Sequence, residues 1–198
     1  MSISGWGKVA AIAAGPIAVV AAGALVFQGS YSAFENETRN AGNTWGAGTV
    51  SLTNDSAGVA AFSVSGMIPG QTGSKCIVVT AAATVPSVVK FYLINPTETP
   101  TSGNLEGYVN LKVEEGTGGS FSSCTGFTAS STIIADQTLY AAATTYDSWA
   151  HAAGGGWTGV TTGTKTYKFT WTMSATPPQS VQGQHFGIDF EWEMQNTG

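Results

Sequence analysis

The residues whose types and spacing suit chemistry are few and lie near the C-terminus. Asp189, Glu191 and Glu193 alternate along one stretch, and the only histidines of the chain are His151 and His185. Alternate residues of a strand share a face at a separation of about 7 Å, so the three carboxylates form a row. Such a row has the groups for acid/base work on a sugar or for calcium binding. The simpler interpretation is a solvated strand face, whose charges discourage wrong pairing at a sheet edge.

A zinc site would have to be assembled from distant segments, because the sequence has no HExxH motif. It would join His151 and His185 to Asp189 or Glu191. Each histidine also has a structural explanation that needs no metal. His151 lies near the C-terminal end of a predicted helix, where a cation is favoured, and His185 begins a predicted strand on its polar face. There is also no GxSxG motif and no phosphate-binding loop. We therefore predict no catalytic residue, no metal ligand and no cofactor.

The composition favours an exported β-protein of one domain. Of the 198 residues only 10% are charged, against roughly 25% in ordinary soluble domains, and the net charge is −5. No cluster of lysine or arginine is present, which excludes a nucleic-acid partner. A surface of Ser, Thr, Gly and Asn suits extracellular β-proteins and surfaces that pack against copies of themselves. A secreted β-sandwich with no role in assembly is the alternative.

An apolar segment without charge extends from Val9 to Phe27. Ser30 and Ser32 fit the −3 and −1 positions of a signal-peptidase site, so residues 1–32 are predicted to be a signal peptide and Ala33 the new N-terminus. The glycines and the proline of the segment make it a poor permanent anchor. We expect export and no stable membrane anchor after cleavage; retention of the segment is the alternative.

Two cysteines in an exported chain indicate one disulfide bond. Cys76 and Cys124 are 48 residues apart, and they form neither a CxxC motif nor a zinc-ligand spacing.

Period-2 alternation of apolar and polar residues dominates the rest of the chain and predicts strands. A first hairpin is expected from 50–52 and 60–64, with turn residues between them. Further strands are predicted at 76–79, 88–93, 108–113, 167–173 and 185–194. Loops are predicted at 95–107 and 116–124.

A helical pattern interrupts the strands between Asp136 and Ala153. Asp136 could cap its start, and the glycines 154–156 could end it. Trp149 and Trp157 flank these glycines and are the tryptophans we expect to be exposed, where they could stack on sugars or contact another subunit. The fold class is all-β, a jelly-roll-like sandwich of about eight strands with one short helix.

Residues 31–52, YSAFENETRNAGNTWGAGTVSL, resemble the N-terminal signature of the TasA/camelysin family of bacterial matrix-fibre subunits. The matching residues are Ala33, Phe34, Asn43, Trp45, Ala47, Gly48 and Leu52. A weaker similarity continues through 69–70, 76–79 and 190–193, so it covers most of the chain, but only the N-terminal part is specific.

The resemblance implies a secreted subunit of a biofilm-matrix or cell-surface fibre. In that family a dedicated signal peptidase exposes a short N-terminal arm, here 33–44, and the β-domain 45–198 follows. The arm is then donated as a strand to the next copy, with Phe34 as the anchor and Trp45 as the pivot. The implied partners are copies of this chain, the export machinery and signal peptidase. The residues assigned to the donor arm are Ala33, Phe34, Glu35, Asn36, Glu37, Thr38, Arg39, Asn43 and Trp45.

Two other functions stay open from the sequence. A monomeric carbohydrate-binding module would use Trp149 and Trp157, and its behaviour would not change when residues 33–44 are deleted. A metallopeptidase, the activity described for camelysin, is the more distant alternative.

Overall fold

The computed structural model describes residues 48–99 and 104–197. The leader 1–32 and the donor arm 33–44 lie outside these residues, and so does Trp45. The described chain forms six strands, one α-helix and two 3₁₀ turns, which confirms an all-β fold with one short helix. The strands are β1 Val50–Asn54, β2 Thr72–Thr99, β3 Val109–Thr117, β4 Thr128–Thr138, β5 Ala153–Met173 and β6 His185–Asn196; helix α1 is Leu139–Thr145 and the 3₁₀ turns are Leu105–Gly107 and Gln179–Val181.

All the strands belong to one antiparallel sheet, with β2 and β5 at its centre. The hydrogen-bonded order is β1-β2-β5-β3-β4, and β6 also pairs with β2. Strand β1 pairs with the part of β2 from Val79 to Ala83, whereas β6 pairs with the part from Ser87 to Thr99. These two short strands therefore follow each other along the same edge of β2.

Strand β2 folds back on itself in the middle. Phe169 pairs with Lys75 near one end of β2, and Phe190 pairs with Leu93 near the other end. Those 18 positions would span about 60 Å in a straight strand, yet the rings of Phe169 and Phe190 stack with centroids 4.3 Å apart. The pairing with β5 is irregular between Ala82 and Ser87, where Pro86 has no N–H to donate.

The folded sheet makes a sandwich of two layers around an aromatic core. Phe91 is only 1% exposed, and its ring centroid lies 5.6 Å from that of Phe169 and 5.1 Å from that of Trp192. Strands β2 and β5 run through both layers, because β5 pairs with both halves of β2. The described residues thus form six strands, where about eight were predicted.

The predicted strand 60–64 is wrong. Residues 60–71 contain no strand until β2 begins at Thr72, although Ala60, Phe62 and Val64 have a strand pattern. A strand pattern specifies a pleated conformation only when a neighbouring strand supplies hydrogen-bond partners. Within the described residues, 60–64 has no such neighbour.

Three other boundaries differ from the prediction. Strand β2 joins the predicted segments 76–79 and 88–93 and continues to Thr99, because β6 pairs with the part predicted as a loop. Strand β4 was not predicted, because residues 128–132 are exposed on both faces and show no alternation of apolar and polar residues. The helix is shorter than expected: Thr138 caps it by accepting a hydrogen bond from the Ala141 N–H at 3.2 Å.

The disulfide bond between Cys76 and Cys124 is confirmed. The Cys76 side chain is fully buried on β2, and Cys124 lies in the loop that connects β3 to β4. No helix in the described part of the chain has the length and apolar character needed to cross a membrane.

Candidate functional site: an apolar groove beside strand β6

The carboxylate row lies on β6 and is engaged in local hydrogen bonds. The Tyr92 hydroxyl donates to Glu193 at 2.6 Å, and the side chain of Gln195 donates to Glu193 at 2.7 Å. The Asn95 amide donates to Asp189 at 2.9 Å. Burial and the nearby Glu193 carboxylate raise the pKa of Tyr92 to about 12. The hydrogen bond from Tyr92 lowers the pKa of Glu193.

Replacing Tyr92 by Phe is expected to raise the pKa of Glu193 towards its ordinary value of 4.5. The folded-state pKa of Glu193 is lowered, so its hydrogen bonds stabilise the fold at pH values above the unfolded-state pKa. That stabilisation is lost as the pH falls through the folded-state pKa. NMR titration of the carboxyl carbon checks the shift, with Asn95→Ala as the control. An unchanged Glu193 titration in Tyr92→Phe would contradict the assignment.

The two histidines belong to separate sites. His185 begins β6 and lines the groove described below, whereas His151 accompanies Asp147, with 2.8 Å between its Nδ1 and the carboxylate. The Ser148 hydroxyl lies 3.4 Å from the same Nδ1. In a catalytic triad the nucleophile and the carboxylate use opposite ring nitrogens, so this surface cluster lacks that arrangement. In the described residues no three His, Cys, Asp or Glu side chains are grouped to hold a metal ion.

Trp149 and Trp157 are both half-buried. The Lys90 ammonium lies 4.6 Å from the centroid of a Trp149 ring and donates to the Trp149 carbonyl at 3.0 Å. The Lys165 ammonium lies 5.5 Å from the Trp157 ring. Each indole therefore has one face occupied by a lysine.

A groove of about 660 Å³, which the sequence did not predict, lies beside β6. One wall is the run of nine consecutive residues 184–192, which includes most of β6. Because residues of both faces line it, the groove follows the edge of this strand as well as its inner face. Within the described chain β6 pairs with β2 alone, so this edge carries unpaired backbone groups.

The opposite wall is the strap, as we call residues 57–69, the segment between β1 and β2. Among the described residues, 60–67 takes part in no backbone hydrogen bond. Val59, Val64 and Ile68 are 61%, 39% and 64% exposed, unusual values for such side chains in one short segment. Two of them, Val59 and Val64, line the groove with Ala61 and Phe62.

The floor of the groove is the inner face of the opposite layer. It comes from β2, β3, β5, α1 and the first 3₁₀ turn, and its residues are Ile77, Val109, Leu111, Leu139, Trp171 and Leu105. Two buried polar atoms on the β6 side, Gln184 Oε1 and Trp192 Nε1, have no hydrogen-bond partner in the described structure. An apolar floor with unpaired polar groups at its side suits a ligand that has both apolar side chains and a polar backbone.

A scan against models of known protein families found no match to this sequence, and a search of curated proteins found none either. The groove is therefore interpreted from its own geometry. The sequence signal for it was the alternating apolar pattern of the strap, which pairs with no strand among the described residues.

Proposed function

We propose that this protein is a secreted subunit of an extracellular fibre, in which residues 33–44 of one copy occupy the groove of the next. The observation that carries the proposal is the pair of groove walls. One is the unpaired edge of β6. The other is the strap, which has a strand-like sequence and whose residues 60–67 have no backbone partner among the described residues. A strand inserted between them would supply hydrogen-bond partners to both.

The chemistry of the arm fits this groove. Phe34 is its large apolar side chain and would lie against the apolar floor, to which Leu111 and Trp171 contribute. The backbone of an extended arm also offers N–H and C=O groups along its whole length. Burial of the Phe34 ring contributes about 1.5–3 kcal/mol, and the new backbone pairs contribute about 1 kcal/mol each.

The length of the arm is sufficient. Residues 184–192 span about 30 Å as a strand, and the twelve residues 33–44 reach about 40 Å when extended. The described chain starts at Gly48, and Thr49 then donates its N–H to the Thr84 hydroxyl at 2.8 Å, beside the fold of β2. Residues 45–47 are thus left to link an inserted arm to its own domain.

Donation of this kind produces an open polymer. The arm and the groove are different surfaces, so each contact is heterologous and leaves one arm and one groove unused at the two ends. Unless the rotation between copies closes a ring, further copies add at both ends. A filament of identical subunits results.

Negative-stain electron microscopy tests the proposal with two chains, one that starts at Ala33 and one that also lacks residues 33–44. Residues 47–198 form a compact unit by themselves, so the shorter chain keeps the whole β-domain. We expect filaments from the longer chain alone.

Monomers in both preparations would refute strand donation and would direct attention to glycan binding at Trp149 and Trp157. Filaments in both would mean that copies associate through a surface other than the arm.

A further inference from the structure

The loop between β3 and β4 is bonded to β2 at a point close to the groove. Cys124 of this loop is bonded to Cys76, and the neighbouring residue Ile77 lies in the groove floor. The loop has its own order, since Ser120 and Ser123 exchange backbone hydrogen bonds of 2.7 and 3.1 Å. The Lys75 ammonium lies 4.0 Å from the centroid of the Phe121 ring. The disulfide bond therefore holds an ordered loop beside the start of β2.

Asp55 connects this loop to the groove wall. Its carboxylate accepts a hydrogen bond from the Phe121 N–H at 2.7 Å and another from the Val78 N–H at 2.8 Å. Its own N–H donates to the Val78 carbonyl at 3.1 Å. One side chain thus joins the end of β1, strand β2 and the disulfide-bonded loop.

The strap, residues 57–69, begins two residues after Asp55, and Ser56 lies between them. Ser56 is buried, and its N–H and hydroxyl both donate to the Asn54 side chain, at 3.1 and 2.6 Å. The Val59 N–H then donates to the Ser56 carbonyl at 2.9 Å. Asn54, Ser56 and Val59 all line the groove. The position of this wall therefore depends on Asp55, and through Asp55 on the loop that the disulfide bond holds.

We propose that Asp55 and the Cys76–Cys124 loop are positioning elements for the acceptor groove, so that a chain without either one donates its arm but does not accept another. This inference rests on the proposed function. Loss of the Asp55 carboxylate leaves two backbone N–H groups without their partner. The start of the strap then loses its attachment through Asp55. Residues 60–67 of the strap have no backbone hydrogen bond among the described residues that would hold them in place.

The test measures binding of a synthetic peptide of residues 33–47 to chains that lack 33–44, by fluorescence anisotropy. Four acceptors are compared: the unsubstituted chain, Asp55→Ala, Cys76→Ala with Cys124→Ala, and Asp136→Ala. Asp136 is an exposed aspartate on β4, so its substitution makes the same change of charge away from the groove. We expect the Asp136→Ala chain to bind as the unsubstituted one, and the other two variants to bind at least tenfold more weakly.

A second readout separates positioning from general loss of structure. The Asp55→Ala chain that starts at Ala33 should still donate its arm to an unsubstituted acceptor, with unchanged affinity. Should Asp55→Ala fail to fold, Asp55→Asn replaces it, because its amide oxygen keeps one acceptor. Equal peptide affinity of the folded Asp55 variant and the unsubstituted acceptor would overturn this inference alone. No peptide binding by the unsubstituted acceptor would overturn strand donation, and the inference with it.

Discussion

A chain with Ile188→Lys is expected to end filaments instead of extending them. Ile188 is a half-buried residue of β6 that lines the groove and packs against the main core cluster. A lysine at this position places an ammonium in the path of the donated strand, where burial without a partner is costly. The variant keeps its arm, so it can still occupy the groove of another copy.

The measurement is seeded growth. Preformed filaments are given monomers mixed with the Ile188→Lys chain, and filament lengths are read by electron microscopy. We expect mean length to fall as the fraction of the variant rises, whereas Ile188→Val, which keeps the groove apolar, leaves it unchanged. Incorporation of Ile188→Lys without shortening would place the acceptor surface elsewhere.

Mixing two defective chains extends the same prediction. The Ile188→Lys chain can only donate, and the chain without residues 33–44 can only accept. Together they should give a complex of one copy each, and separately they should stay monomeric. Light scattering after size-exclusion chromatography distinguishes these states, and larger assemblies in the mixture would contradict a single arm-to-groove contact.

Removal of the disulfide bond is expected to lower the free energy of unfolding by about 4 kcal/mol in the chain-entropy account, because the bond closes a loop of 48 residues. That is a large share of the roughly 5–15 kcal/mol that stabilises an ordinary domain. Guanidinium unfolding of Cys76→Ala with Cys124→Ala measures the loss as a lower midpoint.

Cys124→Ala alone is the matched variant for this measurement. It breaks the same bond but leaves the buried Cys76 side chain in place, so it separates the bond from the packing of Cys76. A loss well under 1 kcal/mol in both variants would mean that the unfolded chain is already restrained in this region.

Strand patterns that depend on local alternation were predicted correctly. Tyr167, Phe169 and Trp171 on β5, and Phe190 and Trp192 on β6, all pack inward as the period of two requires. Side chains alternate across any strand, so this property does not depend on which strands are neighbours. The pairing of the two cysteines was predictable for a simpler reason, since a chain with only two cysteines allows one intramolecular pairing.

What depended on neighbours was not predictable. Residues 60–64 have the pattern of a strand and form none, because the described structure supplies no backbone partner on either side. Strand β4 has no alternation over 128–132 and is nevertheless a strand, because β3 pairs with it. Hydrogen bonds between strands decide both cases, and these partners are distant in the sequence.

The sequence by itself determined an all-β domain with one short helix and one disulfide bond, and its resemblance to a known family predicted an arm at residues 33–44. Only the tertiary structure decided that β2 folds back, that the edge of β6 faces the strap across a groove, and that Asp55 joins the strap to the Cys76–Cys124 loop. The physical reason is distance along the chain. The groove lies between residues 57–69 and 184–192, and no local pattern specifies which segments will approach and which edge will stay open.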